Sequence, residues 1–587
     1  MIFTRMEIQV YQKEKNNKHV KSDEVELYSS ASTLSDMEIF VFPDLLYSLV
    51  ISNILSPKLW NWKNDSYFKD IKKLKTQKKL SRLRQYMVEN YKFNLDLATW
   101  GMTTRHRELA RFKPYLNEHE IAKHNVFLGC SGHAHYFASG IRSHFGMNSS
   151  SLDIVPYWKT ETLEAMDAYI FREGHQCGAG ECVSFSALYA AAMFVICDIP
   201  LDDIFLIVTP LHSQSYIKLD SGYVTNNRRI VTKSMWFNGT DRSFKAQRAI
   251  RHEQISIVSH HTGYIHCEYP ISTIHPDRYS EFQSHFINYL KKDIDESIIY
   301  NFLRQNKNFQ KYFQFYHFRD GISLWIEAEI VYDHESSVPY KANDKSLYHL
   351  LSAIDKSLYH SYKISSRIDI ATLYHVFKRN MLSSYQSGCL SGAEFLLDIN
   401  SKEVSNLFEK FADFVHLNPK FPENGRMIHH KPSEPLPIFP EMSLESLRNV
   451  LMEHRCKDRV ADIAFYAHRD FGASDWKPFT KAALERNPVS IHATQGWTCG
   501  SLIKMVQHIP NISIYNGMRM AQPDEVWNFR RGDGAEKALM LANILAARYP
   551  DDTISIHFAG RDVRIFSNAL NIKMKSSKNL IGYIKIN

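Results

Sequence analysis

Apolar positions along this chain of 587 residues change their spacing from region to region. Between residues 37 and 116, and again between 276 and 417, they recur three and four positions apart, which is typical of amphipathic helices. From residue 204 to 225 they form short apolar or alternating runs that turn residues separate, which predicts strands. The pattern therefore predicts an α+β protein.

A chain of this length exceeds what one hydrophobic core usually holds, so several units are expected. Prolines crowd residues 418 to 440 and exclude regular helix there. The predicted units are a polar arm at 1–36, a basic helical domain at 37–120, a central domain at 121–275, a mainly helical domain at 276–417, a Pro-rich linker at 418–440 and a C-terminal α/β domain at 441–587. Within the last unit we predict strands at 461–466, 489–491, 512–515, 553–556 and 563–566.

The central domain places a cysteine at the start of a predicted helix. Gly178 and Gly180 allow a sharp turn before Cys182, and apolar residues recur at helical spacing from there to Cys197. A helix N-terminus carries partial positive charge, which favours the nucleophilic thiolate over the thiol. Cys182 is therefore a candidate nucleophile.

Two further residues complete a possible catalytic set. His212 enters the second predicted strand, and Asn227 ends the third. Adjacent antiparallel strands can place these side chains together, and packing of the helix on the sheet can bring the thiol to the imidazole. A nucleophile, a base and an orienting group are the parts of a thiol acyl-transfer site. Asn226 and Asp220 are alternatives for the orienting group.

Residues from about 158 to 229 resemble the transglutaminase-like branch of the papain-like thiol enzymes. That family has a Cys at the start of a core helix, a His on a strand and an Asp on the next strand after a Gly-aromatic pair. Cys182, His212 and Gly222-Tyr223 fit this order. Two positions depart from it, because Gln214 replaces an aromatic residue and an asparagine replaces the Asp.

The resemblance implies a helix packed on an antiparallel sheet and acyl transfer from an amide of a protein or peptide, either to water or to an amine. It implies no cofactor. Gln176 lies six positions before Cys182 and resembles the glutamine that stabilises the oxyanion in papain-like proteases. The acceptor and the oligomeric state stay open from the sequence.

A second class of function rests on the N-terminal region. Eight Lys and Arg residues between 69 and 84 alternate with apolar ones and predict a basic amphipathic helix. The alternative function is a non-catalytic scaffold that binds protein or nucleic acid through this domain. Nucleic acid is the less favoured partner, because a basic patch gives binding without specificity.

Histidines and cysteines elsewhere predict neither a metal site nor a disulfide framework. His133 with His135, and His260-His261 with His266-Cys267, lack the partners of a recognisable zinc spacing. The eight cysteines are sparse, which fits a reducing cytoplasm. No signal peptide and no uninterrupted apolar stretch of membrane-spanning length is evident, so a cytoplasmic protein without membrane contact is expected.

The segment from Arg531 to Ala542 repeats the Gly-acid-X opening of the Cys182 helix, with Gly534 at the position of the cysteine. A duplicate that has lost its nucleophile and two independently capped helices are both open explanations. Arg530 and Arg531 beside this helix start form a candidate anion-binding pair. The C-terminal unit is thus expected to recognise rather than to catalyse.

Overall fold

The computed structural model describes residues 36–94, 102–117, 154–156, 162–210, 212–338, 341, 346–387, 401–423, 428–429, 434–568 and 570–586. The polar arm up to residue 35, His133 and His135 lie outside these ranges. The described residues form a mixed α+β fold in which helices surround several sheets, the largest of them antiparallel.

The described residues of the N-terminal part form five α-helices and three short strands. They are α1 (Asp36–Val41), α2 (Asp44–Ile54), α3 (Pro57–Lys63), α4 (Thr76–Asn90), β1 (Tyr91–Phe93), β2 (Met102–Thr104), α5 (Arg105–Phe112) and β3 (Ile154–Pro156). The predicted basic segment is an α-helix only from Thr76 onward, as α4, which holds four of its eight basic residues and buries Leu80, Leu83 and Met87. Lys78 is exposed on this helix, whereas Lys79, Arg82 and Arg84 are half-buried. Helix α2 is buried from Leu45 to Ile54.

The central part contains the helix and the strands that the spacing from 182 to 225 predicts. Its elements are α6 (Leu163–Ala168), β4 (Gly178–Gly180), α7 (Cys182–Val195), β5 (Ile204–Thr209), β6 (His212–Ile217), β7 (Tyr223–Asn226), β8 (Arg229–Thr232), α8 (Lys233–Trp236), α9 (Asp241–His252), β9 (Ile257–His260) and β10 (Gly263–His266). Six strands form one sheet in the order β10-β9-β5-β6-β7-β8, and all neighbours are antiparallel.

This sheet is covered on both faces, and strand β5 shows how the faces alternate. Ile204 and Leu206 pack into a first core that also holds α2 and α7. Phe205 and Ile207 face a second core built from α9 and the middle of the chain. Successive residues of a strand point to opposite faces of the sheet. Because each face of β5 meets a core, the residues on both faces are apolar, and the strand appears in the sequence as an uninterrupted apolar run.

The middle part contributes β11 (Ile271–Ser272), α10 (Pro276–Tyr289), α11 (Glu296–Gln305), α12 (Lys307–Gln310), β12 (Phe313–Arg319), β13 (Ile322–Glu327), α13 (Ala328–Ser337), α14 (Leu347–Ala353), β14 (Ile368–Asp369), α15 (Ile370–Ser387), α16 (Ser401–Val415) and β15 (Ile428–His429). The helical spacing missed the β12–β13 hairpin. Asp320 and Gly321 at its turn have φ of 54° and 78°. A tight hairpin turn needs positive φ at both central positions, which an Asp-Gly pair adopts readily. The sequence contains this pair, so the signal for the hairpin was present.

The C-terminal part contains more helix than the sequence indicates. Its elements are α17 (Leu444–His454), α18 (Arg459–Ala467), α19 (Trp476–Glu485), α20 (Pro488–Ala493), α21 (Cys499–His508), α22 (Pro523–Phe529), α23 (Gly534–Arg548), β16 (Ser555–Phe566) and β17 (Asn571–Lys585). The last two strands form an antiparallel hairpin. Among all the helices described, none has both the length and the apolar character needed to cross a bilayer.

Three of the five strands predicted in this part are wrong, for local reasons. Residues 461–466 belong to α18, because the Asp458 carboxylate caps the helix at the Ala461 N–H. Residues 489–491 belong to α20, whose first N–H groups bind the buried Asp524 carboxylate. Residues 512–515 form no strand. The strand predicted at 563–566 is confirmed, and the one at 553–556 begins only at Ser555, because both belong to the single long strand β16.

The hydrophobic cores extend across the domain boundaries that composition and the Pro-rich segment predict. The first core joins Leu46 of α2, Leu188 of α7 and Ile463 of α18, and it includes Leu436 and Ile438 from the Pro-rich segment. A third core, around Leu539 of α23, extends to Ala165, Tyr169 and Ala179 of the central part. The N-terminal, central and C-terminal parts therefore share buried surface.

A buried ion pair reinforces this junction. Glu164 of α6 and Arg519, from the segment before α22, face each other at 2% and 5% exposure. The second carboxylate oxygen accepts from Arg519 Nη2 at 3.0 Å, and Ser56 Oγ donates to Oε1 at 2.7 Å. Burial alone raises the pKa of Glu164, but the guanidinium and its hydrogen bonds outweigh burial and lower that pKa to about 2.

Breaking this pair should strongly destabilise the fold. Arg519→Met leaves a buried carboxylate without its cation, so we expect a loss of about 3–5 kcal/mol, measured as a lower midpoint of thermal unfolding. Because the pKa of Glu164 is depressed, the contribution of the pair is present above pH 4.5 and is lost as the pH falls toward 2.

Two variants serve as controls for this prediction. Arg519→Met combined with Glu164→Gln should lose less stability than Arg519→Met alone, because no unpaired charge is left buried. Lys573→Met removes an exposed partner of Asp562 and should change the midpoint little. Equal losses for the single and the double variant would contradict the assignment.

Candidate active site around Cys182 and His212

An acidic cap fixes the start of helix α7. Glu181 Oε1 accepts from the N–H groups of Val183 and Ser184, both at 3.0 Å, and Ser184 Oγ reaches back toward the Glu181 N–H at 3.4 Å. This reciprocal capping box satisfies donors that a helix N-terminus otherwise leaves open. Cys182 is therefore the first residue of the helix, as the spacing predicts.

Gly178 and Gly180, before the cap, allow close packing, and neither has a positive φ. Strand β4 pairs in parallel with β1. A Cβ at Gly178 would lie 2.6 Å from the Tyr91 ring, and one at Gly180 would lie 2.5 Å from Met166 Cε. The sharp turn expected at these glycines is thus a tightly packed short strand.

The Cys182 thiol lies against the capping carboxylate. Its Sγ donates to Glu181 Oε2 at 3.0 Å, and the residue is partly buried. The helix N-terminus favours a thiolate here, whereas the neighbouring negative charge opposes it. Sequence reasoning counted only the first of these effects, because the role of Glu181 as a cap appears only in the folded chain.

His212 has a defined partner on the neighbouring strand. Its Nε2 lies 2.7 Å from Asn226 Oδ1. An amide oxygen only accepts, so Nε2 carries the proton and Nδ1 keeps its lone pair. Burial, followed by the nearby positive charge of Arg248, lowers the pKa of His212 to about 4, although the hydrogen bond to Asn226 acts in the opposite direction. The imidazole is therefore neutral at pH 7.

His212 is hydrogen bonded to Asn226, an alternative orienting residue, and not to Asn227, the first choice. Asn227 has φ of 51° in the turn between β7 and β8, and its buried Oδ1 has no hydrogen-bond partner in the described part of the chain. The alternative Asn226, the last residue of β7, holds the imidazole. Asp220 accepts from Tyr223 Oη at 2.6 Å in the turn after β6, at the far end of that strand from His212.

The structure brings the two strands and the helix together, but it does not place the imidazole on the thiol. Ser213 Oγ lies 3.0 Å from Ser186 Oγ, one helical turn beyond Cys182. Ser213 pairs with Val208 of the first core, whereas His212 pairs with Thr209. Within the described ranges, the hydrogen bonds of the His212 ring do not include one to Cys182.

The His212 side chain lies on the other face of the sheet, among polar groups that the sequence did not single out. Thr209 Oγ1 donates to Glu253 Oε2 at 2.6 Å, and Glu253 pairs with Arg248 of α9. Neither Arg248 nor Glu253 belongs to a recognisable motif, because they reach the site through the packing of α9 on the sheet. This environment keeps the imidazole unprotonated.

The predicted oxyanion residue lies in an open loop. Gln176 is exposed, between the packed residue Tyr169 and strand β4. The neighbouring His175 ring lies 5.2 Å from the Tyr169 ring. The side chain of Gln176 makes no hydrogen bond to another described residue, so its role at Cys182 stays a prediction.

Gly534 opens α23 much as Cys182 opens α7. Asp533 caps the helix, and Glu536 returns the bond, as Glu181 and Ser184 do in α7. A Cβ at Gly534 would lie 2.1 Å from Lys575 O of the hairpin, so the site has no room for a cysteine side chain. Both segments open with a capping box, and Gly534 has no side chain that could act as a nucleophile.

The two predicted anion-binding arginines stack on aromatic rings. The Arg530 guanidinium carbon lies 3.8 Å from the centre of the Trp527 ring, and that of Arg531 lies 3.5 Å from the Phe171 ring. Burial and the repulsion from Arg172 lower the pKa of Arg530. Neither side chain forms an ion pair with a described carboxylate. They follow α22 and precede the cap of α23.

The structure also shows the contacts of the basic helix and of the described histidines. Lys79 of α4 donates to Cys197 O at 2.9 Å, just beyond the C-terminal end of α7, where a helix favours cations. His266 is separated from the other predicted histidines and binds Phe40 O at 2.9 Å. His260 and His261 lie instead with Asp202, in the one group among the described residues whose ligand atoms are close enough to hold a metal.

The capping carboxylate predicts how the thiol responds to mutation. Glu181→Gln removes a negative charge beside Cys182 Sγ while an amide oxygen can still cap the helix. We expect alkylation of Cys182 by iodoacetamide at neutral pH to become about tenfold faster, read by mass spectrometry of the Cys182 peptide.

The exposed Glu173, in the loop before Cys182, supplies the matched control. Glu173→Gln removes the same charge at a position outside the cap, so the rate at Cys182 should change little. An unchanged rate in Glu181→Gln would mean that the carboxylate does not govern the thiol.

The described residues thus hold a capped thiol at the start of a buried helix and a neutral imidazole fixed by Asn226 at the start of the strand that packs beside it. Both residues open their elements, and Ser186 and Ser213 join these elements. Comparisons of this chain with protein-family models, with curated proteins and with solved structures each found no match.

Proposed function

We propose that this chain is a thiol-dependent acyl-transfer enzyme that acts on an amide of a protein or peptide, with Cys182 as nucleophile, His212 as base and Asn226 as the residue that orients His212. The observation that carries the proposal is the 2.7 Å hydrogen bond from His212 Nε2 to Asn226 Oδ1, because it leaves Nδ1 as an unprotonated base. A helix packed on an antiparallel sheet supports a relation to the transglutaminase-like, papain-like core.

The reaction follows from these positions. Cys182 Sγ attacks the amide carbonyl carbon while His212 Nδ1 takes the thiol proton, and the same nitrogen then returns it to the leaving amine as the C–N bond breaks. A thioester on Cys182 remains, and water or another amine resolves it. The Cys182 N–H at the helix start and the Gln176 side chain are the proposed donors to the oxyanion.

Two side-chain movements belong to this proposal. The thiol must leave the Glu181 carboxylate, and the imidazole must turn past the end of β6, away from the face that carries Arg248, with the Asn226 side chain turning with it to keep their hydrogen bond. Cys182 and His212 are first residues of their elements, where side chains have more room than in the interior. Binding of an acyl substrate between them supplies the contacts that favour the turned arrangement.

The arginines after α22 support an acidic substrate. Arg531 lies over Phe171, in the segment that leads to Gln176 and Cys182, and Arg530 lies over Trp527. No described carboxylate forms an ion pair with either arginine. Guanidinium groups held flat on aromatic rings keep their N–H edges free for a carboxylate. We propose that they hold an acidic side chain of the substrate.

Acylation of the full-length protein by p-nitrophenyl acetate tests the reaction directly. The expected result is rapid release of nitrophenol with one acetyl group on the Cys182 peptide, seen by mass spectrometry, and no acetyl group there in Cys182→Ala. His212→Ala should slow acylation roughly 100-fold or more, because general-base catalysis contributes that much. The rate should fall as the pH drops through about 4, where the imidazole gains its proton, rather than near 6.5.

Matched variants separate catalysis from packing. Asn226→Ala should slow acylation, whereas Asn227→Asp, which retains a short polar side chain in the turn, should leave it nearly unchanged. Cys177→Ala, in the loop before Cys182, should acylate like the natural protein. Equal acylation of Cys182 with and without His212 would overturn the triad, and absence of acylation would favour the binding-scaffold alternative.

A pair of alkylating agents tests the acidic-substrate proposal. Iodoacetate and iodoacetamide carry the same electrophile, but only iodoacetate is an anion. The ratio of their rates at Cys182 should fall about threefold or more in Arg530→Ala combined with Arg531→Ala, because charge steering raises the local concentration of anions. Lys504→Ala, which removes a cation from α21, is the control. An unchanged ratio in the double variant would place the arginines away from the substrate path.

A further inference from the structure

We propose that Asp202, His260 and His261 form a binding site for a divalent cation of the zinc class. Each residue offers one ligand atom, and the three atoms lie within 4.8 Å of one another. Sequence spacing does not predict this set, because the carboxylate precedes the histidines by almost sixty positions and only the folded sheet brings them together.

Two neighbouring turns supply the ligands. Asp202 lies in the helical turn Leu201–Asp203 that leads into β5, His260 ends β9, and His261 begins the turn to β10. Strands β5 and β9 are neighbours in the sheet. The His261 Nε2 atom lies 2.9 Å from Asp202 Oδ1, close to the separation of two ligands on one ion.

The two histidines differ in their hydrogen-bond partners. His260 Nδ1 lies 2.8 Å from Thr262 Oγ1 and accepts from the Thr262 N–H at 3.4 Å, and Nε2 lies 3.4 Å from Asp202 O. A cation on Nε2 would move the ring proton to Nδ1, where the Thr262 hydroxyl can accept it. A hydrogen bond from the second ring nitrogen is the usual support of a metal-binding histidine. His260 and His261 are 1% and 4% exposed, and the buried His261 Nδ1 has no hydrogen-bond partner among the described residues.

The donor set selects the cation. Two imidazoles and one carboxylate are a common set of three protein ligands for Zn²⁺, with a fourth position for water. Softer thiolates are not part of the cluster, and the two nitrogen donors are unfavourable for Ca²⁺ or Mg²⁺. The Asp202 side chain is 47% exposed, so solvent can reach the fourth position.

This site is separate from the thiol. Asp202 precedes β5, whereas His212 pairs with Thr209 at the other end of that strand, roughly 17 Å away at the usual rise of a strand. Tyr47 of α2 lies over the cluster and hydrogen bonds to Leu201 O and Ile204 O, both at 3.4 Å. A cation here would tie the turn before β5 to the β9–β10 hairpin under α2, which is a stabilising role.

One nearby group opposes the cation. Arg278 of α10 lies 3.6 Å from Asp202 Oδ1 and competes for the same carboxylate. Its positive charge also repels a dication at short range. Removal of Arg278 should therefore strengthen cation binding, an outcome that a hydrogen-bonded His–Asp pair without a metal role would not give.

Titration of the full-length protein with Co²⁺, which adopts zinc geometries and absorbs visible light, tests the proposal. The natural protein should gain visible d–d bands with one equivalent of Co²⁺, and added Zn²⁺ should abolish them. The near-ultraviolet band of a cobalt–thiolate bond should be absent, which separates this site from the cysteines. Zn²⁺ should also raise the midpoint of thermal unfolding.

Four variants test the proposed ligands and the opposing effect of Arg278. Asp202→Asn and His261→Ala should each weaken Co²⁺ binding about 100-fold or more, whereas Asp203→Asn, at the adjacent carboxylate, should bind like the natural protein. Arg278→Gln should bind about tenfold more tightly. Binding that is absent, that carries the thiolate band, or that is equal in Asp202→Asn and Asp203→Asn would overturn the site.

Discussion

The burial of helix α7 on every side is the constraint on which the rest of this structure depends. All residues from Val183 to Val195 are buried, between α2 on one side and strand β6 on the other. A helix that is apolar all round cannot lie at a surface, so other elements must enclose it. Helices from both ends of the sequence do so, and for this reason the predicted domain boundaries do not separate the cores. The same burial fixes the direction in which Cys182, at its first turn, can project.

Buried charges hold these layers in register. Glu164 with Arg519 joins the central and C-terminal parts, and Arg486 with Glu38 joins the C-terminal part to α1. Such pairs add little stability over apolar contacts of equal size, but removal of one partner is costly. These ion pairs therefore contribute more to the choice of one arrangement of the layers than to the free energy of unfolding. The third core, to which the C-terminal part contributes most residues, reaches strand β4 just before Cys182.

The two ends of the central sheet carry different chemistry. At one end, the cap of α7 places Glu181 beside the thiol, so the group that stabilises the helix also contacts the proposed nucleophile. His212 on the opposite face is kept neutral by burial and by Arg248. At the other end, the turn before β5 and the β9–β10 hairpin bring a carboxylate to two buried imidazoles. The proposed reaction and the proposed cation site thus use the same sheet without sharing a residue.

The sequence by itself determined the α+β class, the helix that Cys182 begins and the strands after it, because apolar spacing and caps are local properties. It narrowed the partner of His212 to Asn227, Asn226 or Asp220, but only the strand pairing decided for Asn226. The face on which His212 lies, the contact of Glu181 with the thiol and the meeting of Asp202 with two histidines depend on register and layer packing, which residue spacing does not encode. Two of the three wrong C-terminal strands, 461–466 and 489–491, have the same origin: short apolar runs fit helix or strand equally well, and capping by Asp458 and Asp524 in the folded chain decided for helix.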